Sequence, residues 1–367
     1  MDYKTVIITG DNITAKIESS FRKQARSNKK PRNAYLLVQS DKLDINLQLA
    51  EGVDGEIQAN IKQPNHLASV GKLFTATLIS ILYEKDKLDF NDSISEYLDA
   101  ELMDGLHMYK GKDHSDKITI RHLLKQTSGL NDVFDPLLKR MLENPGFTIT
   151  PREAVSWGKA HLKPVAVPGK RHFYTDTNYY LLGLIIESVT GKQFHEVMHE
   201  LIFEPLEMKH AYMHGFSKPE IEADYPAASL YVEDVDLLTV EGVHQIDYAG
   251  GSVVAPLDEF LVFIRSLVNH KLIKGETLDR MVTDDIRKGF PQVGFKYGYA
   301  VWKIMPIPIL VPKQYYCWGG VGITGAFMFF HPATASYIVG TFNDASYNRK
   351  ALQFMVRNVI RELLRSE

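Results

Sequence analysis

The chain has 367 residues, of which 45% are apolar and 24% charged, with a single cysteine and a formal net charge of −3. That length exceeds what one core usually serves, so two subdomains are expected. The charge balance argues against a nucleic-acid partner, which normally demands a basic face. One cysteine, Cys317, excludes an internal disulfide framework and suits a reducing compartment. No apolar run reaches the ~18–20 residues of a membrane span. The opening "MDYKTVIITGDNIT" lacks a basic-then-apolar leader pattern, so a cytoplasmic protein is the expectation.

In chain order, a polar, charged lead-in is followed by "AYLLVQ" (Ala34–Gln39) and "LDINLQLA" (Leu43–Ala50), which predict paired strands. A helix starts near Ser69, and Asn91 or Asp92 is placed to cap another. From there to about Tyr231 the pattern is mainly helical. "TIRHLLKQTSGL" starts at a Thr119 cap and stops at Gly129. Thr150 and Glu153 form a capping box with Pro151 at the first helical position. "NYYLLGLIIESVTGK" ends at Gly191, a good C-cap. "YAGGSVVAPLDEFLVFIRSLVNHKLI" predicts a Gly-rich turn, a short strand and a helix. "YGYAVWKI", "YYCWGG", "GAFMFFHP" and "ASYIVGTFN" follow as short strands with hairpin spacing, and "KALQFMVRNVIRELL" closes as a helix. The expected class is α/β (α+β). Residues 1–90 and 232–367 form a discontinuous domain with an antiparallel sheet flanked by helices, and 91–231 an inserted all-helical domain. The cleft between them is the expected site for a small molecule.

Ser-x-x-Lys strings occur at Ser20–Lys23, Ser27–Lys30 and Ser69–Lys72, among others. The first two lie in a charged segment whose lysines should face water. Ser69 instead opens onto "LFTATLISILY", apolar on nearly every face and therefore a buried helix. Residues three apart share a helix face, so the Ser69 hydroxyl and Lys72 amine should meet at its first turn. Desolvation and the positive end of the helix dipole both disfavour an ammonium there. A neutral amine could take the Ser69 proton during attack on a carbonyl, with helix-start N–H groups supporting the oxyanion. A serine cap followed by a snorkelling lysine is the competing reading, and the pair alone leaves both open.

Four further stretches carry a resemblance. "LASVGKLFTATLISILYEKDKLDFNDSISEYL", "ITIRHLLKQTSGL", "PGKRHFYTDTNYYLLGLIIESVTGKQF" and "WGGVGITGAFMFF" appear in this order. From about Tyr35 onward the chain resembles the class C β-lactamase and penicillin-binding-protein-like serine hydrolases, a family that includes esterases and D-aminopeptidases. The resemblance implies a β-lactamase/transpeptidase-like fold, no cofactor and a small ester, amide or peptide-like substrate; oligomeric state stays open. It matches Ser69 to the acylated nucleophile, Lys72 to its base and Tyr174 to the tyrosine that relays the leaving-group proton.

Two departures stand out. The family's Tyr-x-Asn element reads Tyr174-Thr175-Asp176, and an ionised Asp176 only accepts hydrogen bonds and favours a charged lysine. The family's Lys or His two residues before a strand glycine is replaced in Gly320-Val321-Gly322. The N–H of Ile323 could still complete an oxyanion hole with that of Ser69, but the cation that binds a substrate carboxylate is missing. β-Lactam hydrolysis should therefore be weak or absent. A non-catalytic binding module with the same cleft is the alternative.

"FHEVMHELIF" holds the zinc-peptidase string His195-Glu196-x-x-His199, the most distant reading. Phe194, Val197, Met198, Leu201 and Ile202 form one stripe, leaving His195, Glu196, His199 and Glu200 on a solvated face. Ile202 stands where a metzincin glycine belongs, no third ligand follows, and no metal is expected. His122 reads as a packing residue near a helix start, and Cys317 as a buried small hydrophobe.

Overall fold

The computed structural model describes residues 11–27, 33–144, 146–287, 294–307 and 311–365. Its centre is an eight-stranded antiparallel sheet built from both ends of the chain. The strands are β1 (Ala34–Ser40), β2 (Ile45–Glu51), β6 (Ile286–Arg287), β7 (Phe295–Tyr297), β8 (Trp302–Ile304), β9 (Cys317–Gly322), β10 (Ala326–His331) and β11 (Ser336–Thr341), ordered β6-β7-β8-β9-β10-β11-β1-β2. Alternation sends side chains to opposite faces, and each face buries its own apolar cluster. A second, three-stranded sheet pairs β5 (Val253–Ala255) with both β3 (Asn65–His66) and β4 (Tyr212–Met213).

The outer face is covered by the closing helical segment, residues 348–364, together with α1 (Asp11–Arg26), which reads in the sequence only as a polar lead-in. The buried Ile17, Phe21 and Ala25 of α1 recur every fourth residue and form the stripe that docks it. Arg22 and Arg26 both pair with Glu51 on β2. Lys23 faces water from this helix, as expected of the first Ser-x-x-Lys string, whereas Lys30 lies outside the described residues.

The inner face meets α2 (Gly71–Glu84), almost wholly buried as its composition requires. Around α2 pack α3 (Ile120–Leu124), α4 (Phe134–Glu143), α5 (Pro151–His161), α6 (Thr177–Thr190), α7 (Phe194–Met198), α8 (Val243–Gly251), α9 (Leu257–Val268) and α10 (Gly275–Thr283). The Thr150–Glu153 capping box, Pro151 and the left-handed Gly191 stand as the sequence predicts. The segment beyond Asp92 is shorter than expected: Ser93, not Asn91 or Asp92, caps a single 3-10 turn, Ile94–Glu96. Asp92 instead accepts the Asp89 N–H and the Tyr97 hydroxyl, closing a loop. Likewise α3 starts at its Thr119 cap but ends at Leu124, well before Gly129. Between Met213 and Tyr231 the chain is irregular rather than helical.

The Gly-rich turn lies inside α8, which is kinked at Tyr248 (φ 30°, ψ −120°). Close approach explains its glycines: a Cβ on Gly250 would lie 2.6 Å from Asp176 Oδ1. A Cβ on Gly71 of α2 would lie 2.8 Å from Gly251 Cα, so the two segments touch main chain to main chain.

Candidate active site

Ser69 sits in a 3-10 turn, Ala68–Val70, that runs directly into α2. Ala68 has φ 47°, a left-handed conformation rare outside glycine, so the turn is sharp. It leaves Ser69 half-buried while its neighbours are buried. Lys72, 1% exposed, lies one turn on. Its Nζ donates to Ser69 Oγ at 2.9 Å, to the Gly250 carbonyl at 3.0 Å and to Asp176 Oδ1. Three donors meet three acceptors, the arrangement an ammonium requires. The Tyr174 and Tyr179 rings stand 5.2 Å from the same nitrogen and enclose it.

Tyr174 joins this group through its ring over Lys72 and through the influence of the Ser69 side chain on its phenol. Burial and the charge of Asp176 hold that phenol well above the ordinary range, with the Ser69 side chain pulling the other way. Burial also raises the Asp176 carboxyl, and the Lys72 charge opposes that rise. Behind Asp176, Asp132 Oδ1 accepts the Asp176 N–H at 2.7 Å and the Thr175 hydroxyl at 2.9 Å.

The segment after α3 explains how the tyrosine loop is held. Gln126 accepts the Phe173 N–H on its carbonyl and the Thr175 N–H on its side chain, at 2.8 and 3.0 Å. The same Oε1 takes Asn178 Nδ2 at 2.6 Å. Gly129 (φ 80°) passes so near Ala166 O that a Cβ would lie 2.0 Å from it. His122 accepts the Thr119 N–H, a structural role consistent with its expected place at the helix start.

From the sheet, β9 packs on the Ser69 turn. A Cβ on Gly322 would lie 2.3 Å from Leu67 O, so only glycine permits this approach. A Cβ on Gly320 would point at Val70, 3.3 Å from its Cα. Position 320 thus faces the Ser69 turn with no side chain there. Ile323 follows directly, its side chain 43% exposed. Ser69, Lys72, Tyr174, Asp176, Gly320 and Gly322 are therefore brought together, with Ile323 at their edge.

The His195-Glu196-x-x-His199 string is not part of this group. Phe194, Val197, Met198 and Ile202 are buried, whereas Glu196, His199 and Glu200 are exposed. Glu196 accepts the Gln193 N–H to close a capping box, and Glu200 pairs with Lys192. Among the described residues no group of three His, Cys, Asp or Glu is arranged to hold a metal ion. Cys317 is buried on β9, and burial pushes its thiol far above the reactive range.

Comparison with known proteins identifies the family and the fold. Residues 51–354 match the Beta-lactamase family. The chain belongs to that family. A putative penicillin-binding protein, PbpX of Bacillus subtilis (strain 168), is 27% identical over 260 residues, covering 68% of this chain and 56% of the relative. The match thus spans little more than half the length of that relative. A D-stereospecific amidohydrolase from Streptomyces sp. superposes with a TM-score of 0.75 at 22% identity, over 94% of this chain and 98% of the other. EstCE1, a hydrolase with promiscuous acyltransferase activity, gives 0.74 at 18% identity, over 96% and 99%. These likenesses establish the β-lactamase/transpeptidase-like fold for the chain.

Two contributors to the site escaped the sequence reading. Asp132 belongs to "GLND", which follows the α3 segment, and the Gly250 carbonyl to the "YAGG" turn. A run of small residues beside a polar one, as in "DYAGG", was the available signal for the second.

Proposed function

We propose that the protein is a serine hydrolase that forms an acyl-enzyme on Ser69 and cleaves small esters or amides lacking a carboxylate beside the scissile bond. The observation that carries this reading is Ser69 Oγ receiving a 2.9 Å hydrogen bond from the buried Lys72, with the Tyr174 ring 5.2 Å from the same lysine nitrogen. Passage of a Lys72 proton to Asp176 frees the amine lone pair, which takes the hydroxyl proton as Oγ attacks the carbonyl carbon. The N–H groups of Ser69 and Ile323 receive the oxyanion. When the tetrahedral intermediate collapses, Lys72 returns a proton through Tyr174 to the leaving oxygen or nitrogen. Water then repeats the sequence on the acyl carbonyl and releases the acid. The likenesses to an amidohydrolase and to a hydrolase with acyltransferase activity favour ester and amide substrates, and the bare Gly320 disfavours β-lactams.

The test is labelling with a serine-directed fluorophosphonate, followed by intact mass and peptide mapping. One adduct on Ser69 is expected, absent in Ser69→Ala. Lys72→Ala should slow labelling by about 100- to 10,000-fold, the usual cost of removing a general base. Labelling that persists in Ser69→Ala would refute the assignment, and an unlabelled wild type would leave a binding module at this site.

A further inference from the structure

His66 precedes Ser69 by three residues, on β3, and its imidazole is 4% exposed. Its Nδ1 accepts the Ala68 N–H at 3.0 Å. That acceptor role places the ring proton on Nε2, which lies 2.6 Å from Asp247 Oδ2. Asp247 belongs to α8, immediately before the kink at Tyr248. Past that kink, the Gly250 carbonyl accepts from Lys72 and Gly251 touches the nucleophile turn. A Cβ on Gly251 would lie 2.4 Å from Asp247 Oδ1 and 3.0 Å from the Ala68 carbonyl carbon. The ladder repeats the tie, since His66 pairs with Val254 on β5.

One imidazole thus joins two pieces of the site that are remote in sequence. The Ala68 N–H is held while Ala68 occupies its left-handed conformation, and the next peptide carries the Ser69 N–H. We propose that His66 and Asp247 are a positioning pair that holds Ala68 in this conformation, aiming the Ser69 N–H and hydroxyl, and registers that turn against the Gly250 acceptor of Lys72. The role rests on the acyl-enzyme reading above. Neither residue touches the reacting atoms; both act through Ala68. A buried histidine that merely fills core space would not need its Nδ1 on this N–H, nor a carboxylate on its other nitrogen.

The test measures the Ser69 labelling rate, kcat and KM for a neutral aryl ester, and the thermal midpoint in four variants. His66→Ala should lower kcat and labelling by about 10- to 100-fold with KM nearly unchanged, the effect of misaligning a reacting group by a fraction of an ångström. His66→Asn keeps an oxygen that can accept the N–H two residues on, and should recover part of the loss. Asp247→Ala should fall like His66→Ala, and Asp247→Asn, which keeps an acceptor for Nε2–H, should stay nearer the wild type. A folded His66→Ala with wild-type rates, or conservative variants no better than the alanines, overturns the proposal. If His66→Ala does not fold, the two Asp247 variants decide by the same comparison. A wild type that takes no label refutes the acyl-enzyme reading itself; a labelled wild type with indifferent variants refutes only the positioning pair.

Discussion

Asp176 and Asp132 set two carboxyl groups one behind the other beside a single ammonium, and the outer one bears the electrostatic cost. Burial and the charge of Asp176 push the Asp132 carboxyl up to about 6. In an unfolded chain an aspartate titrates near ~3.9. Between about pH 4 and 6 the folded protein therefore keeps a proton that the unfolded chain has released. Since the folded state binds more protons there, Asp132 makes stability fall as pH rises through that window, and the full penalty applies above it. Asp132→Asn retains an oxygen for the Asp176 N–H and the Thr175 hydroxyl while removing the charge. Thermal midpoints measured from pH 4 to 7 should thus show the wild type losing stability relative to the variant up to about pH 6, after which the difference levels off. Parallel curves would mean that Asp132 titrates normally.

At the scale of elements, β9 carries the departure that the sequence resemblance marks at Gly320. Gly322 holds the close approach to Leu67, and Gly320 leaves bare the spot where the resemblance implies a Lys or His. Gly320 is not in the left-handed region, so a side chain faces no backbone strain, only the 3.3 Å approach of its Cβ to Val70 Cα. Gly320→His should fold after a shift of a few tenths of an ångström. A charge-assisted hydrogen bond contributes roughly 1.5–3 kcal/mol, or about ten- to a hundredfold in binding. The ratio of kcat/KM for a cephalosporin to that for a neutral aryl ester should rise accordingly. A well-folded variant with an unchanged ratio would place the missing cation elsewhere, with Lys313 the next residue to test. Local chemistry made much of this level legible: the Thr119 and Thr150 caps, Gly191 and the strand alternation are each written in a few adjacent residues. The α1 helix was not, because its three apolar positions are diluted among charged ones. The α8 kink was not either, since Tyr248 packs on Gly183 of α6 and Phe194 of α7, which are remote from it in sequence. His66 and Asp247 meet only through the fold, and no spacing announces them.

Across the whole molecule, the site exists because two apparently separate parts share one core. We retain as a proposal the division into 1–90 with 232–367 and the helical insert 91–231. The apolar cluster nevertheless runs without a break from Tyr35 and Met328 on the sheet, through Leu73 and Phe74 of α2, to Leu137 and Leu181 among the helices. Lys72 and Asp176 join the same two parts by an ion pair, and Arg121 pairs with Asp284. A helical insert cut away would expose the surfaces that α2 and α8 cover, because neither helix lies within 91–231. Each leucine or phenylalanine so uncovered forfeits about 1.5–3 kcal/mol, against a total stability of ~5–15 kcal/mol for an ordinary domain. The isolated segment 91–231 should therefore lack a cooperative thermal transition and show the dispersed-probe behaviour of a loosely packed chain. The full protein should unfold in a single transition seen alike by tryptophan fluorescence and far-ultraviolet circular dichroism. An insert that melts cooperatively alone, or two separated transitions in the intact chain, would show that the cleft joins two independent domains, and that Ser69 and Tyr174 are held together by weaker forces than a shared core supplies.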